Sequence, residues 1–140
     1  MKIAFYTLPI YNKVRELYKK IEIHSNKTSK ENKYTHINPI KSDIERIMLK
    51  IALAHIDTYK LDVLNDIYIE FFKLKLKIRV IYDLRIITKK GFCDILSTVG
   101  NIQAQLKGWI NSQNKANKDT GNAVSQWSEF NVLCHLKSTI

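Results

Sequence analysis

The sequence predicts an all-α fold, an up-down-up-down four-helix bundle, from three observations. Apolar residues recur at helical spacing in four separate segments. Glycines number four and prolines two in 140 residues, too few for the turns of a many-stranded β fold. The connections between the periodic segments are short, which places antiparallel helices side by side. Hydrophobic content of 45% supplies a core, and the length fits one domain. The bundle is expected over residues 1–111. A polar linker and a C-terminal tail, docked or disordered, are expected over 112–140.

The first helix starts near Thr7-Leu8-Pro9. Thr7 can cap it, and proline is favoured in a first turn, where its missing N–H would have no partner. Ile10, Val14, Leu17 and Ile21 form its core stripe, and Tyr11 and Tyr18 a weaker second face. Residues 25–34 are polar, basic and aperiodic, and read as a loop. Asn38-Pro39 then repeats the cap-and-proline signal. The second helix carries Ile40, Ile44, Ile47, Ile51 and Ala54 or His55 on one face; periodicity outweighs the slight helix penalty of its β-branched isoleucines.

Residues 73–91, KLKLKIRVIYDLRIITKKG, organise the chain. They hold seven basic residues and one acid, Asp83. From Lys73 to Val80 the alternation is strand-like, yet no glycine or proline lies between Pro39 and Gly91 to divide the run. Ile67, Phe71, Leu74, Ile78 and Ile81 fit a helix, the third, for which Asp62 is a cap. A second apolar stripe, Ile69, Leu76, Val80, Leu84 and Ile87, lies roughly 150° around the same helix. Two apolar faces imply burial on both sides. The outer one is covered by the C-terminal tail or by another subunit. Either Thr88 caps the next helix or Gly91 ends this one.

The fourth helix, from Lys89 or Phe92 to Asn111, has Phe92, Ile95, Val99, Ile102, Leu106 and Trp109 as its stripe. Gly100 and Gly108 each cost it about 1 kcal/mol relative to alanine, a cost usually accepted for close helix approach. Cys93 reads as a small core residue. Residues 112–121 resemble a linker, and the apolar Trp127, Phe130, Val132, Leu133 and Leu136 follow.

The formal net charge is +10, which favours polyanionic partners. No apolar run reaches the ~20 residues of a membrane span, and the N-terminal stretch lacks a signal-peptide cleavage site. Cys93 and Cys134 make no disulfide framework, so cytoplasm is the expected location. No Glu-x-x-His, zinc-like Cys/His spacing, phosphate-binding glycine loop or nucleophile–base pair occurs. No catalytic residue, metal or cofactor is therefore expected. The basic residues Lys73, Lys75, Lys77, Arg79, Arg85, Lys89 and Lys90 are the candidate nucleic-acid contacts, against the alternative of a solvated face with pairs such as Arg79–Asp83. Arg85 falls on the core-facing stripe near the helix end. Leu76, Val80, Leu84 and Ile87 are the candidate oligomer interface.

Two segments carry a family resemblance: LKLKIRVIYDLRIIT in the third helix and LSTVGNIQAQLKGWINS in the fourth. Over residues 11–112 the chain resembles the accessory variability determinant (Avd) proteins of diversity-generating retroelements. Arg79 and Arg85 fall on that family's Leu-Arg pattern, and Leu96, Val99, Gly100, Leu106, Gly108, Trp109 and Ile110 on its helix-four ending. Lys107 replaces the first glycine of the Gly-Gly-Trp unit, and the tail after Ser112 has no counterpart. The resemblance implies a bundle assembled as a homopentameric ring. It also implies binding to template RNA or cDNA and to a reverse transcriptase, in support of mutagenic retrohoming. The chain itself would be non-enzymatic. A structural bundle of the ribosomal RNA intervening-sequence type shares the architecture and is the alternative; its Asn-Ile-Ala-Glu-Gly stretch is absent.

Overall fold

The computed structural model describes residues 8–56 and 60–116, and over these the chain is all-α with no strand. Thr7, residues 57–59, and the tail from 117 with Trp127 and Cys134 lie outside the described residues. Four long helices form a bundle: α1 (Pro9–His24), α3 (Asn38–Ile56), α4 (Lys60–Asp83) and α5 (Lys89–Ala116). A short α2 (Lys30–Asn32) and a π-helical turn (Lys33–Ile37) lead into α3. α1 packs against α3 and α5, and α4 packs against the same two.

Leu8 is the N-cap of α1, without a side-chain cap bond, and Pro9 opens the helix. Ile10, Val14, Leu17 and Ile21 are all buried, as their spacing predicts. Ser25 ends α1. Its backbone N–H and its hydroxyl both donate to the Ile21 carbonyl, at 3.1 and 2.6 Å. The loop that follows is shorter than its composition suggests, because Ser29 caps α2 by accepting from the Asn32 N–H.

Asn38 is not a cap. The chain is already helical before it, and the Asn38 N–H donates to the Lys33 carbonyl across a wide turn. A proline inside a regular helix clashes with the carbonyl four residues back and offers it no donor. The π turn directly before Pro39 widens the backbone where that clash would fall.

The core faces of α3, α4 and α5 follow their periodicity. Ile40, Ile44, Ile47, Ile51 and Ala54 are buried in α3, with Ala54 rather than His55 completing the face. In α4 the expected five are joined by Leu64 and Tyr68. Asp62 lies inside the first turn of α4, where a carboxylate suits the helix dipole, and is not its cap. In α5, Ile110 is buried while Trp109 is half-buried against the core. Burying each large aliphatic side chain contributes about 1.5–3 kcal/mol. α5 continues past Asn111 to Ala116.

Three expectations about the last two helices need correction. Gly100 and Gly108 admit no close helix among the described residues: a Cβ at either would meet nothing within 4 Å. Cys93 is exposed on α5 and not in the core. Ile87 is 3% exposed and belongs to the core, so it leaves the outer stripe of α4. The helix ends at Asp83, and the turn that follows rotates Ile87 inward.

A basic, aromatic-lined turn as candidate nucleic-acid interface

The turn between α4 and α5 is built by two capping motifs. The Ile86 N–H donates to the Ile81 carbonyl and the Arg85 N–H to the Tyr82 carbonyl, both at 2.9 Å. That pattern is a Schellman motif, which puts its C′ residue in the left-handed region. Here C′ is Arg85, at φ 59°, where glycine is usual. Thr88 then caps α5: its Oγ1 accepts from the Gly91 N–H at 3.0 Å and its carbonyl from the Phe92 N–H at 2.8 Å. Of the two readings of this junction, the Thr88 cap is the observed one. Gly91 lies within α5 at negative φ.

The turn walls a cavity of about 520 Å³ lined by Tyr82, Arg85, Thr88 and Lys89 among others. Tyr82 and Phe92 stack with centroids 4.2 Å apart and planes 1° from parallel. The Arg79 guanidinium lies over both rings, at 5.7 and 5.8 Å, and pairs with Asp83 at 3.2 Å. Arg85, Lys89 and Lys90 are exposed, and none enters an ion pair among the described residues. Lys89 and Lys90 open a 28-residue helix whose first turn has no acid. Cations there oppose the helix dipole, at about 0.3–1 kcal/mol each, and add to its positive end.

The seven basic candidates therefore divide. Arg85, Lys89 and Lys90 gather at the turn. Lys73 is exposed further down α4, and Lys75 is half-buried. Lys77 donates to the Asp43 carboxylate at 2.7 Å, tying α4 to α3. Arg79 is committed to its rings and to Asp83. Arg85 does not lie on a core stripe; the left-handed turn carries it out to solvent. The interface candidates Leu76 and Val80 are exposed on the outer face of α4, and Leu84 is exposed in the turn just past its end.

Sequence periodicity missed a second basic segment at the same end of the bundle. His24, the last residue of α1, packs on Gly91, where a Cβ would stand 2.9 Å from its Nδ1. Its Nε2 lies 2.8 Å from Asp94 Oδ2, and Lys20 donates to Asp94 at 2.8 Å and to Thr98 at 2.6 Å. The Lys20 hydrogen bond, then that of His24, holds the Asp94 carboxyl below its ordinary value. This contact brings the connection after α1, with Lys27, Lys30 and Lys33, to the end that carries Arg85, Lys89 and Lys90. A loop without periodicity gives no sequence signal of that proximity.

No protein-family model, curated protein or solved structure matches the chain. Among the described residues, no helix is long and apolar enough to cross a membrane, and no group of three or more His, Cys, Asp or Glu could hold a metal.

The left-handed Arg85 is a testable strain. A non-glycine residue there costs about 1 kcal/mol or more. Arg85→Gly should raise stability by about 1 kcal/mol in a denaturant titration. It also removes a cation from the turn, so any polyanion contact there should weaken while stability rises.

Proposed function

We propose that this chain is a non-enzymatic accessory subunit that binds nucleic acid at the basic end of its bundle. In this reading it is an Avd-like protein, an up-down-up-down bundle in a homo-oligomeric, five-fold ring. It would hold template RNA or cDNA for a reverse transcriptase in mutagenic retrohoming. The antiparallel arrangement is supported by residues late in one helix meeting residues early in a neighbouring one: Lys20 of α1 with Asp94 of α5, Glu22 of α1 with Lys41 of α3, and Lys77 of α4 with Asp43 of α3.

One observation carries the binding reading. Arg85, Lys89 and Lys90 sit beside the positive end of α5, in ionic contact with no described residue, and the first two line a cavity together with Tyr82 and Asp83. Placing three such charges together has no evident benefit to the fold, whereas a polyanion repays it. Each phosphate they neutralise releases counterions. Tyr82 lines the cavity and is held by its stack on the buried Phe92, which gives the site one aromatic ring of the kind on which bases stack.

The test is fluorescence anisotropy of the nuclease-treated protein with structured RNA and with duplex DNA, across a salt series. The triple variant Arg85→Glu, Lys89→Glu and Lys90→Glu should bind at least about tenfold more weakly. Its log–log salt slope should fall by about 2–3, as expected for the loss of some three phosphate contacts. Unchanged circular dichroism and mass would show that the fold persists. Negligible binding by the wild type at low salt would remove nucleic acid from the reading and favour a purely structural bundle. Co-purification with a reverse transcriptase encoded beside the gene tests the partner.

A further inference from the structure

The outer faces of α4 and α5 are opposite in kind. On α4 the outermost side chains include Ile69, Leu76 and Val80, all exposed, with Leu76 46% accessible. Three large apolar residues in line on a charged helix need a cover. On α5 a line of small residues faces outward, flanked by Leu96 and Lys107: Cys93, Ser97, Gly100, Ala104 and Gly108 recur at three- or four-residue steps and are all exposed. The two glycines have open space around them and cost the helix about 1 kcal/mol each. Nothing among the described residues makes use of that room.

We infer that the α4 outer face of one copy docks on the α5 outer face of the next. This rests on the assembly stated under the proposed function, and it names the two surfaces that assembly uses. Height along the bundle decides the match. The chain reverses at the turn, and Tyr82 stacks on Phe92, so residues equally far from that stack stand at equal height. By that count Val80 stands level with Asp94, Leu76 with Thr98 and Ile69 with Gln105, so the small residues Cys93, Ser97 and Ala104 each lie one residue, about 1.5 Å, nearer the turn. A rotation about an axis parallel to the helices preserves these heights. Each large side chain then meets a small one, as knobs meet holes.

Charge follows the same register. Asp66, sixteen residues before Tyr82, comes level with Lys107 and Gly108, and neither Asp66 nor Lys107 has an ion-pair partner among the described residues. The α5 outer face has no acid between Lys90 and Lys107 other than Asp94, which Lys20 and His24 occupy. The alternative of α4 against α4 would oppose two flanks bearing Lys73 and Lys77, and like charges in contact disfavour it. A contact between two different faces is heterologous. It repeats from copy to copy and closes into a ring when its rotation divides the circle.

The test is the mass of the full chain, nuclease-treated, by light scattering and sedimentation equilibrium. The double variant Gly100→Leu and Gly108→Leu fills the small face at two positions with open space, so the monomer should fold with unchanged or higher thermal stability. It should lose the assembly. Asp66→Lys and Lys107→Asp should each weaken association, by about fivefold to tenfold, and the two together should restore it. A wild type that stays monomeric overturns the docking and the assembly on which it rests. An assembly indifferent to the leucine pair overturns this docking alone. The anisotropy experiment reads the nucleic-acid site separately, so loss of that site leaves these outcomes unchanged.

Discussion

Lys77→Glu is expected to cost the bundle about 3 kcal/mol, the largest single effect among its surface lysines. Lys77 has the sequence context of a phosphate contact, yet it donates to Asp43 Oδ2 at 2.7 Å. Asp43 is only 5% exposed, on the face of α3 that meets α4. Its other oxygen accepts from Arg46 at 3.0 Å, and Arg46 reaches on to Glu70 at 3.2 Å. A buried carboxylate that loses a partner keeps its desolvation cost and loses the attraction that offset it, typically 3–5 kcal/mol for a fully buried pair. Lys77 is half exposed, so its removal alone should cost less, about 1–2 kcal/mol. Glutamate adds repulsion between neighbouring carboxylates. Lys77→Met should fall between the wild type and Lys77→Glu in a urea titration, and Asp43→Asn combined with Lys77→Met should recover part of the loss. Equal stability of Lys77→Glu and wild type would rule out the ion pair as a helix–helix tie. A binding defect in any Lys77 variant therefore reports the fold before it reports nucleic acid.

Gly91→Ala is the second, at an expected cost of about 2 kcal/mol. The added Cβ would stand 2.9 Å from His24 Nδ1 and 3.0 Å from its Cγ, distances that real Cβ atoms do not sustain. The His24 ring is held on its far side by Asp94, so it cannot swing away without breaking that contact. Overpacking of this kind costs about 1–3 kcal/mol. It outweighs the roughly 1 kcal/mol that alanine gains over glycine in an exposed helix. His24→Ala should make room, so the double variant should be more stable than the sum of the single effects predicts. Gly91→Ala at wild-type stability in a thermal melt would mean that α1 and α5 can separate freely at this point.

The core stripes were legible because each is written in one chemistry. Ile44, Ile47 and Ile51, or Ile95, Val99 and Ile102, announce a face by period alone. What periodicity could not give are places where the backbone leaves the regular helix. The π turn before Pro39 is coded by a proline that equally suits a first turn. The stop after Asp83 is made by an arginine in a glycine's conformation, so it escapes a search for Gly or Asn, and Ile87 changes sides as a result. Asp43 was invisible for another reason: its burial depends on Lys77, thirty-four residues away. The same distance hid the division of the basic candidates, since an ion pair and a free cation read alike in one dimension. Gly91 and Gly100 look equivalent in sequence, and only the neighbouring helix distinguishes a filled space from an open one.

The gathering of cations at one end has a consequence for encounter as well as for contact. Lys27, Lys30, Lys33, Arg85, Lys89 and Lys90 share that end with the acids Glu31 and Asp83, while Glu22 and Asp94 beside them are held in ion pairs with Lys41 and Lys20. A body charged so unevenly feels a torque in the field of a polyanion before it touches it. Within about 10 Å at moderate ionic strength, that torque turns the bundle end-on, so fewer approaches arrive misaligned. Copies related by rotation about the bundle direction would all present this end on a single rim, and the field would capture the strand around a circle of sites rather than at one.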